Sequence, residues 1–251
     1  MPPSDNPSTA AGSKMYAGTK TWNPFKGCSF DCVYCGPSFK RQAKRQKHHC
    51  TQCYNYTPHY HPERLSRIPS APIIFVCGNG DIRFCKPAFL KQIIEAIRNH
   101  KGKHKSFYLQ TKEPACLEPV LHLLPDNVIL VTTLETNRDK GYADVSKAPV
   151  PSVRYQQFLK LDYPRKVITA EPILDFDLTE YSRWIANITP EYVWLGLNSH
   201  PETIKMPEPS PGKLYKLAEK LIKKGIEVRG KALRDYDMPA GVIRYQDTGT
   251  S

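Results

Sequence analysis

Three cysteines near the start of the chain, Cys28, Cys32 and Cys35, stand in the run Gly27-Cys28-Ser29-Phe30-Asp31-Cys32-Val33-Tyr34-Cys35. Thiolates spaced C-x3-C-x2-C on one loop can hold three irons of a [4Fe–4S] cube, which leaves the fourth iron open to a small molecule. An open iron separates a catalyst from an electron carrier. Tyr34, just before the third cysteine, adds an aromatic face beside that position. The bland alternatives are a zinc knuckle or three unrelated buried thiols. Zinc normally takes four ligands, and its knuckles pair one C-x2-C with a distant second pair. A disulfide within so short a loop rarely meets the required geometry.

A second group of donors follows. Cys50 and Cys53 form a C-x2-C pair, with His48, His49, His59 and His61 close by. Cys50, Cys53, His59 and His61 are the expected ligands of a possible second metal, zinc first. A redox dithiol, an auxiliary cluster, or incidental thiols on a proline-rich loop are the other readings. Cys85 could pair with Cys77 or supply a hydrogen atom, and Cys116 reads as packed in a helix.

Charge points to a polyanion. The 251 residues carry a formal net charge of +12, and such a surface attracts nucleic acid more often than any other partner. Lys40, Arg41, Lys44, Arg45 and Lys47 crowd the segment after the cysteine loop. On a helix they would cover most of the circumference, so they cannot all pack inward. They are the expected contacts to DNA or RNA, with salt-sensitive affinity. A merely soluble basic surface is the alternative. No apolar run reaches the ~18 residues of a membrane span. The beginning of the chain shows no secretory pattern, so the eight cysteines read as reduced thiols or ligands in a cytoplasmic protein without a membrane partner.

Strands and helices must position these groups. Residues 1–14 read as a disordered leader, 19–24 as an extended stretch, 39–49 as a helix, and 50–72, with four prolines, as an irregular Cys/His/Pro-rich insertion. From residue 73 a rhythm begins. Short apolar runs over 73–77, 106–110, 127–134, 166–170, 192–197 and 226–229 predict strands. Patterns opening at Pro87, and over 114–124, 151–161, 178–188 and 213–224, predict helices. The alternation predicts an α/β fold with parallel strands, either an open doubly wound sheet or a barrel, with 232–251 as a tail. In both, ligands gather at the carboxyl ends of strands. Those ends carry Gly78-Asn79-Gly80-Asp81, Gln110-Thr111-Lys112, Thr133-Leu134-Glu135, Glu171-Pro172, Asn198-Ser199-His200 and Lys231. Asp81 can meet an ammonium group, Glu135 and Glu171 ribose hydroxyls, and Lys112 and Lys231 a carboxylate or phosphate.

At the cysteine loop the sequence resembles the radical SAM superfamily, whose signature is C-x3-C-x-aromatic-C. Thr21-Trp22-Asn23-Pro24, His61-Pro62-Glu63-Arg64-Leu65, Gln110-Thr111-Lys112 and Ala170-Glu171-Pro172, in that order, look like an uncharacterised phage and prophage family distantly related to spore photoproduct lyase. The likeness spans most of residues 19–231. Three places depart from it: Cys35-Gly36-Pro37 stands where the family usually has Cys-Tyr-Ala, Gly196-Leu197-Asn198 where it usually has Gly-Gly-Glu, and Cys77-Gly78 where it has small polar residues.

The resemblance implies a partial (β/α)6 barrel over 15–231. It implies a [4Fe–4S] cluster on Cys28, Cys32 and Cys35 that binds S-adenosylmethionine. Tyr34, Gly78, Asn79, Asp81, Thr133, Glu135 and Glu171 are then the cofactor-binding candidates. Glu135, Glu171 and Cys77 are the candidates for direct chemistry. A reduced flavodoxin or ferredoxin-like donor would supply one electron, and the resulting 5′-deoxyadenosyl radical would take a hydrogen atom from substrate. The expected enzyme acts on a nucleic acid or nucleotide, as a lyase, isomerase or transferase. A radical enzyme on a small metabolite or peptide, and a non-catalytic metal-stabilised nucleic-acid-binding protein, are the competing readings.

Overall fold

Runs of Val, Ile, Phe, Tyr and Thr bounded by Pro, Gly or Asn become short strands, as their branched and aromatic side chains favour. A computed structural model describes residues 18–36, 40–102 and 105–245. Its strands are β1 (Thr19–Trp22), β2 (Phe25–Lys26), β3 (His59–Tyr60), β4 (Ile73–Val76), β5 (Ser106–Gln110), β6 (Val128–Thr133), β7 (Lys166–Ala170), β8 (Tyr192–Gly196), β9 (Glu227–Lys231) and β10 (Val242–Tyr245). Its α-helices are α1 (Arg41–Lys44), α2 (Thr51–Tyr54), α3 (Pro87–Arg98), α4 (Pro151–Lys160), α5 (Leu178–Ile188) and α6 (Pro211–Lys223).

Eight strands form one sheet in the order β1-β4-β5-β6-β7-β8-β9-β10, and every neighbouring pair is parallel. β1 and β10 are its two ends and do not pair, so the sheet is an open half-barrel. β2 and β3 form a separate antiparallel pair.

Alternation along each strand sorts the side chains onto two faces. Ile74, Val76, Phe107, Leu109, Leu130, Ile168, Val193 and Leu195 join the core under the helices. Phe75, Tyr108, Ile129, Val131, Val167, Tyr192 and Trp194 pack together on the other face. There the hydroxyls of Tyr108 and Tyr192 are hydrogen-bonded, and the Arg229 guanidinium lies 3.5 Å over the Tyr192 ring.

The helices follow their sequence signals. Proline opens α3, α4 and α6, where its missing N–H costs nothing. α5 turns Tyr181, Trp184, Ile185 and Ile188 inward, each contributing roughly 1.5–3 kcal/mol of burial. Over 114–124 an α-helix is expected, yet Pro114–Leu123 is 3-10 helix with Pro119 inside it, because proline removes a donor and clashes with the preceding turn. Of the helix expected over 39–49, the described residues show a π-helical Lys40, the four residues of α1 and then turns, and Phe39 lies outside the described residues.

The last strand and the tail also differ from expectation. β9 runs to Lys231, and the expected tail contributes β10, whose Tyr245 ring packs 4.8 Å from Trp194. The half-barrel therefore has eight strands rather than six. The leader expected over 1–14 lies outside the described residues. Among the described residues, no helix is long and apolar enough to cross a membrane.

Candidate active site and metal centre

After β1 the chain enters the cysteine loop at Asn23. Gly27 sits at φ +94°, and a Cβ there would lie 2.2 Å from the Thr57 carbonyl oxygen. Only glycine fits that conformation at that distance. Gly27 N–H donates to the Asn79 carbonyl (3.0 Å), Asp81 N–H to the Gly27 carbonyl (3.2 Å), and Cys28 N–H to the Tyr56 carbonyl (3.3 Å). The loop is thus stitched to the turn after β4 and to the 50–61 segment.

A cavity of about 520 Å³ opens at the carboxyl ends of the sheet strands. Cys28, Cys32, Cys35, Tyr34, Tyr56 and Asp81 line one end. Gln110, Thr133, Thr169, Glu171, Asn198, Ser199, His200 and Lys231 line the rest, with Phe75 and Leu197 as apolar wall. Parallel strands put their terminal side chains on one rim, so residues 30 to 200 positions apart in sequence meet here.

The three loop thiols do not share one environment. Cys32 accepts from Lys112 Nζ (3.3 Å) and lies 3.1 Å from Ser146 Oγ. A hydrogen bond from Cys35, then Lys112 and Ser146, outweigh burial and lower its thiol below the ordinary range. Cys35 is raised because its proton is held toward Cys32 and it is buried. Burial, then the nearby Asp81 carboxylate, push Cys28 up to about 12. Binding a metal there requires the loop thiols to give up their protons. All eight cysteines are free.

Behind the thiols lies a buried charge network. Glu135 and Arg154 are both 0% exposed, with Glu135 Oε2 and Arg154 Nη2 2.7 Å apart, a charge contact off hydrogen-bond alignment. Lys112 Nζ lies 3.1 Å and Tyr142 OH 3.0 Å from Glu135 Oε1, and Tyr34 OH donates to the same oxygen. Lys112 also contacts the Tyr34 hydroxyl and lies 4.4 Å over its ring. Arg154 Nη1 donates to the Thr133 carbonyl (2.6 Å). Burial alone would raise Glu135, but Arg154 and Lys112 hold it down at about 2.

Glu135 was expected to meet ribose hydroxyls. It lies instead behind the cavity wall, its oxygens taken by cations and phenols, so it can act on the cavity only through Lys112 and Tyr34. Arg154, Tyr142 and Ser146 belong to this network and were not anticipated. Arg154 left one signal: it shares the inward face of α4 with Pro151, Tyr155 and Phe158, and an arginine on a buried stripe needs a buried acid.

Asp81 is buried and accepts from Arg83 N–H (2.9 Å), Thr111 Oγ1 (2.7 Å) and Lys112 N–H (2.9 Å). Burial raises its carboxyl to about 6 despite those donors. Gly78, Asn79 and Asp81 all line the cavity, and Asn79 N–H is held by Asn23 Oδ1 (3.1 Å). Glu171 faces the cavity with Lys231 Nζ 3.1 Å from its Oε1. Gly196 makes room for it, since a Cβ there would come within 2.8 Å of Glu171 Cγ.

Cys77 adjoins the cavity but is 1% exposed, at φ +55°, and burial raises its thiol. Cys77 is nonetheless among the residues that line the cavity. Cys85 is likewise buried and raised to about 12 by burial. Thr132 donates to the Thr111 carbonyl (2.8 Å), so it ties β6 to the end of β5.

Cys50, Cys53, His59 and His61 come together. Their four donor atoms all lie within 4.8 Å of one another, a group that can hold a metal ion. Among the described residues this is the set with single-ion spacing; Cys28, Cys32 and Cys35 do not form one.

Of the basic residues, Lys44, Arg45 and Lys47 are exposed beside Gln42, which lines the cavity. Lys40 is also exposed but pairs with Asp31 (2.8 Å). Arg41 opens α1, and its side chain lies outside the described set.

A scan against models of known protein families found no match, and a search of curated proteins found none either.

Proposed function

We propose that this chain is a radical SAM enzyme. It would carry a [4Fe–4S] cluster on Cys28, Cys32 and Cys35, cleave S-adenosylmethionine there by one-electron reduction, and act on a nucleic acid or nucleotide. The observation that carries the reading is the convergence of three free thiols on the cavity at the strand termini. The donor set fits the group: three sulfurs on one loop, not drawn into a single-ion cage, suit a cube with one iron left unligated by protein. When bound, the cluster supplies the electron that breaks the sulfonium bond.

The chain's own residues hold and orient. Lys112 stabilises negative charge on Cys32, and Glu135 with Arg154 fixes Lys112 and Tyr34 in place. Gly78, Asn79 and Asp81 offer backbone and carboxylate to an amino group. Thr133, Glu171 and Lys231 offer hydroxyl, carboxylate and ammonium to a ribose or a phosphate. Phe30, Phe75 and Leu197 form apolar wall that limits water. An acidic flavodoxin or ferredoxin-like donor in the cytoplasm suits the basic surface. For the second donor set, zinc is the proposed ion.

The exposed cations beside the cavity favour a phosphate-bearing substrate. The modest cavity volume favours the second reading, a small metabolite or peptide, or else a single nucleotide rather than a duplex. Anaerobic reconstitution with iron and sulfide, followed by dithionite and S-adenosylmethionine, tests the chemistry. The wild type should release 5′-deoxyadenosine, Cys32→Ala should lose both iron and cleavage, and Cys116→Ala should keep both. No 5′-deoxyadenosine from cluster-loaded wild type, or equal iron in Cys32→Ala, overturns the proposal.

A further inference from the structure

The segment over 50–72 packs against the cysteine loop with almost no apolar interior of its own. Its only fully buried side chains are Cys53 (3% exposed) and His59 (4% exposed). α2 is four residues long, and the β2–β3 ladder pairs two residues on each side. Elements this short are not stable on local hydrogen bonds alone. Small units lacking a core usually obtain their cohesion from a disulfide or a metal, and Cys50 and Cys53 are both free.

The donors are arranged for one ion. Cys53 Sγ lies 3.1 Å from His59 Nε2 and 3.3 Å from His61 Nε2. Cys50 Sγ lies 3.6 Å from His59 Nε2, and the two Nε2 atoms are 2.8 Å apart. Zinc bonds of about 2.3 Å to sulfur and 2.0–2.1 Å to nitrogen place donors roughly 3–4 Å apart on a tetrahedron. A two-iron cluster would spread them over two metals, farther apart.

The outer contacts fix the imidazoles. His59 Nδ1 donates to the Thr57 carbonyl (2.6 Å) and His61 Nδ1 to the Glu63 carboxylate (3.1 Å). Both Nε2 lone pairs therefore face inward, as in metal sites where a second contact sets the tautomer. Cys53 N–H donates to Cys50 Sγ (3.3 Å) and Lys26 Nζ to Cys53 Sγ (3.2 Å). Such donors quench thiolate reactivity. With four protein ligands and no open position, the site is structural rather than catalytic.

We propose that Cys50, Cys53, His59 and His61 bind one tetrahedral zinc ion that clamps residues 50–61 onto the loop of Cys28. The clamp has three points of attachment. His59 pairs with Lys26 in the β2–β3 ladder, His61 N–H donates to the Pro24 carbonyl (2.6 Å), and the Tyr56 carbonyl accepts from Cys28 N–H. Tyr56 itself lines the main cavity. The ion thereby sets one wall of that cavity without entering it.

The proposal stands apart from the iron–sulfur reading and is tested on full-length protein that has not been loaded with iron. Elemental analysis should find one zinc per chain. Cobalt exchanged into the site should show tetrahedral d–d and sulfur-to-cobalt absorption. Cys53→Ala should lose the ion, whereas His61→Cys, which keeps four donors, should retain it. If Cys53→Ala fails to fold, wild type treated with a chelator gives the same comparison. Chelation should speed hydrogen exchange of the Gly27 and Cys28 amides by about tenfold or more, with β6 and β8 amides unchanged. Substoichiometric zinc, an iron–sulfur spectrum dependent on these four residues, unaltered exchange at Gly27 and Cys28, or acceleration across the whole sheet would each overturn it.

Discussion

Glu135 shows how far a residue type alone can be read. A carboxylate at a strand end suggests a ligand for hydroxyls, but this one is enclosed by Arg154, Lys112, Tyr142 and Tyr34. Glu135→Gln would leave Arg154 buried without its counter-charge, a loss of about 3–5 kcal/mol, read by urea unfolding. The pH dependence has a definite sign. Glu135 is held at about 2 in the folded chain against 4.5 for its ordinary value, so its contribution is fully present above the unfolded value. It fades as pH falls from about 4.5 toward 2. The stability gap between wild type and Glu135→Gln should be flat above that window and shrink within it. A pH-independent gap, or one under about 1 kcal/mol, would contradict the network. That Cys28, Cys32 and Cys35 share one cavity was legible because they lie on one short loop after a strand. The partners of Glu135 were not, because they come from the cysteine loop, the end of β5, the Tyr142–Asp144 turn and α4, which only the folded chain brings together.

The boundaries of α5 follow its pattern because Tyr181, Trp184, Ile185 and Ile188 repeat at helical spacing. The same reasoning fails over 114–124, where the apolar spacing is there but Pro119 interrupts the hydrogen-bond ladder. It also fails over 39–49, where basic residues supply helix propensity but, apart from Ala43, no described buried side chain to anchor a longer helix. The 50–72 insertion looked irregular because its order comes from side-chain donors rather than periodicity. Its attachment to the cysteine loop depends on a close backbone approach at Gly27. Gly27→Ala, forced against the Thr57 carbonyl at a left-handed φ, should cost about 2 kcal/mol or more. Thermal unfolding would measure it, and a variant as stable as wild type would show that the loop does not pack this closely.

The whole molecule is basic on its surface and polar at one rim, and these two properties meet beside α1. If the exposed cations there contact phosphates, Lys44→Gln with Arg45→Gln should lower the slope of log affinity against log salt for duplex DNA by about 1.8, at about 0.9 per contact. An unchanged slope would move the nucleic-acid surface elsewhere. The alternation of strands and helices made the parallel architecture readable from sequence. The eighth strand was hidden because Val242–Tyr245 follows a stretch of Pro and Gly that reads as a chain end. Among the described residues the sheet stops before closing, with β1 and β10 as its two margins. Each is only four residues long, and each carries an outward cation, Lys20 on one and Arg244 on the other. Brevity and like charge are two of the means by which natural sheets blunt their margins against strand-to-strand pairing between copies.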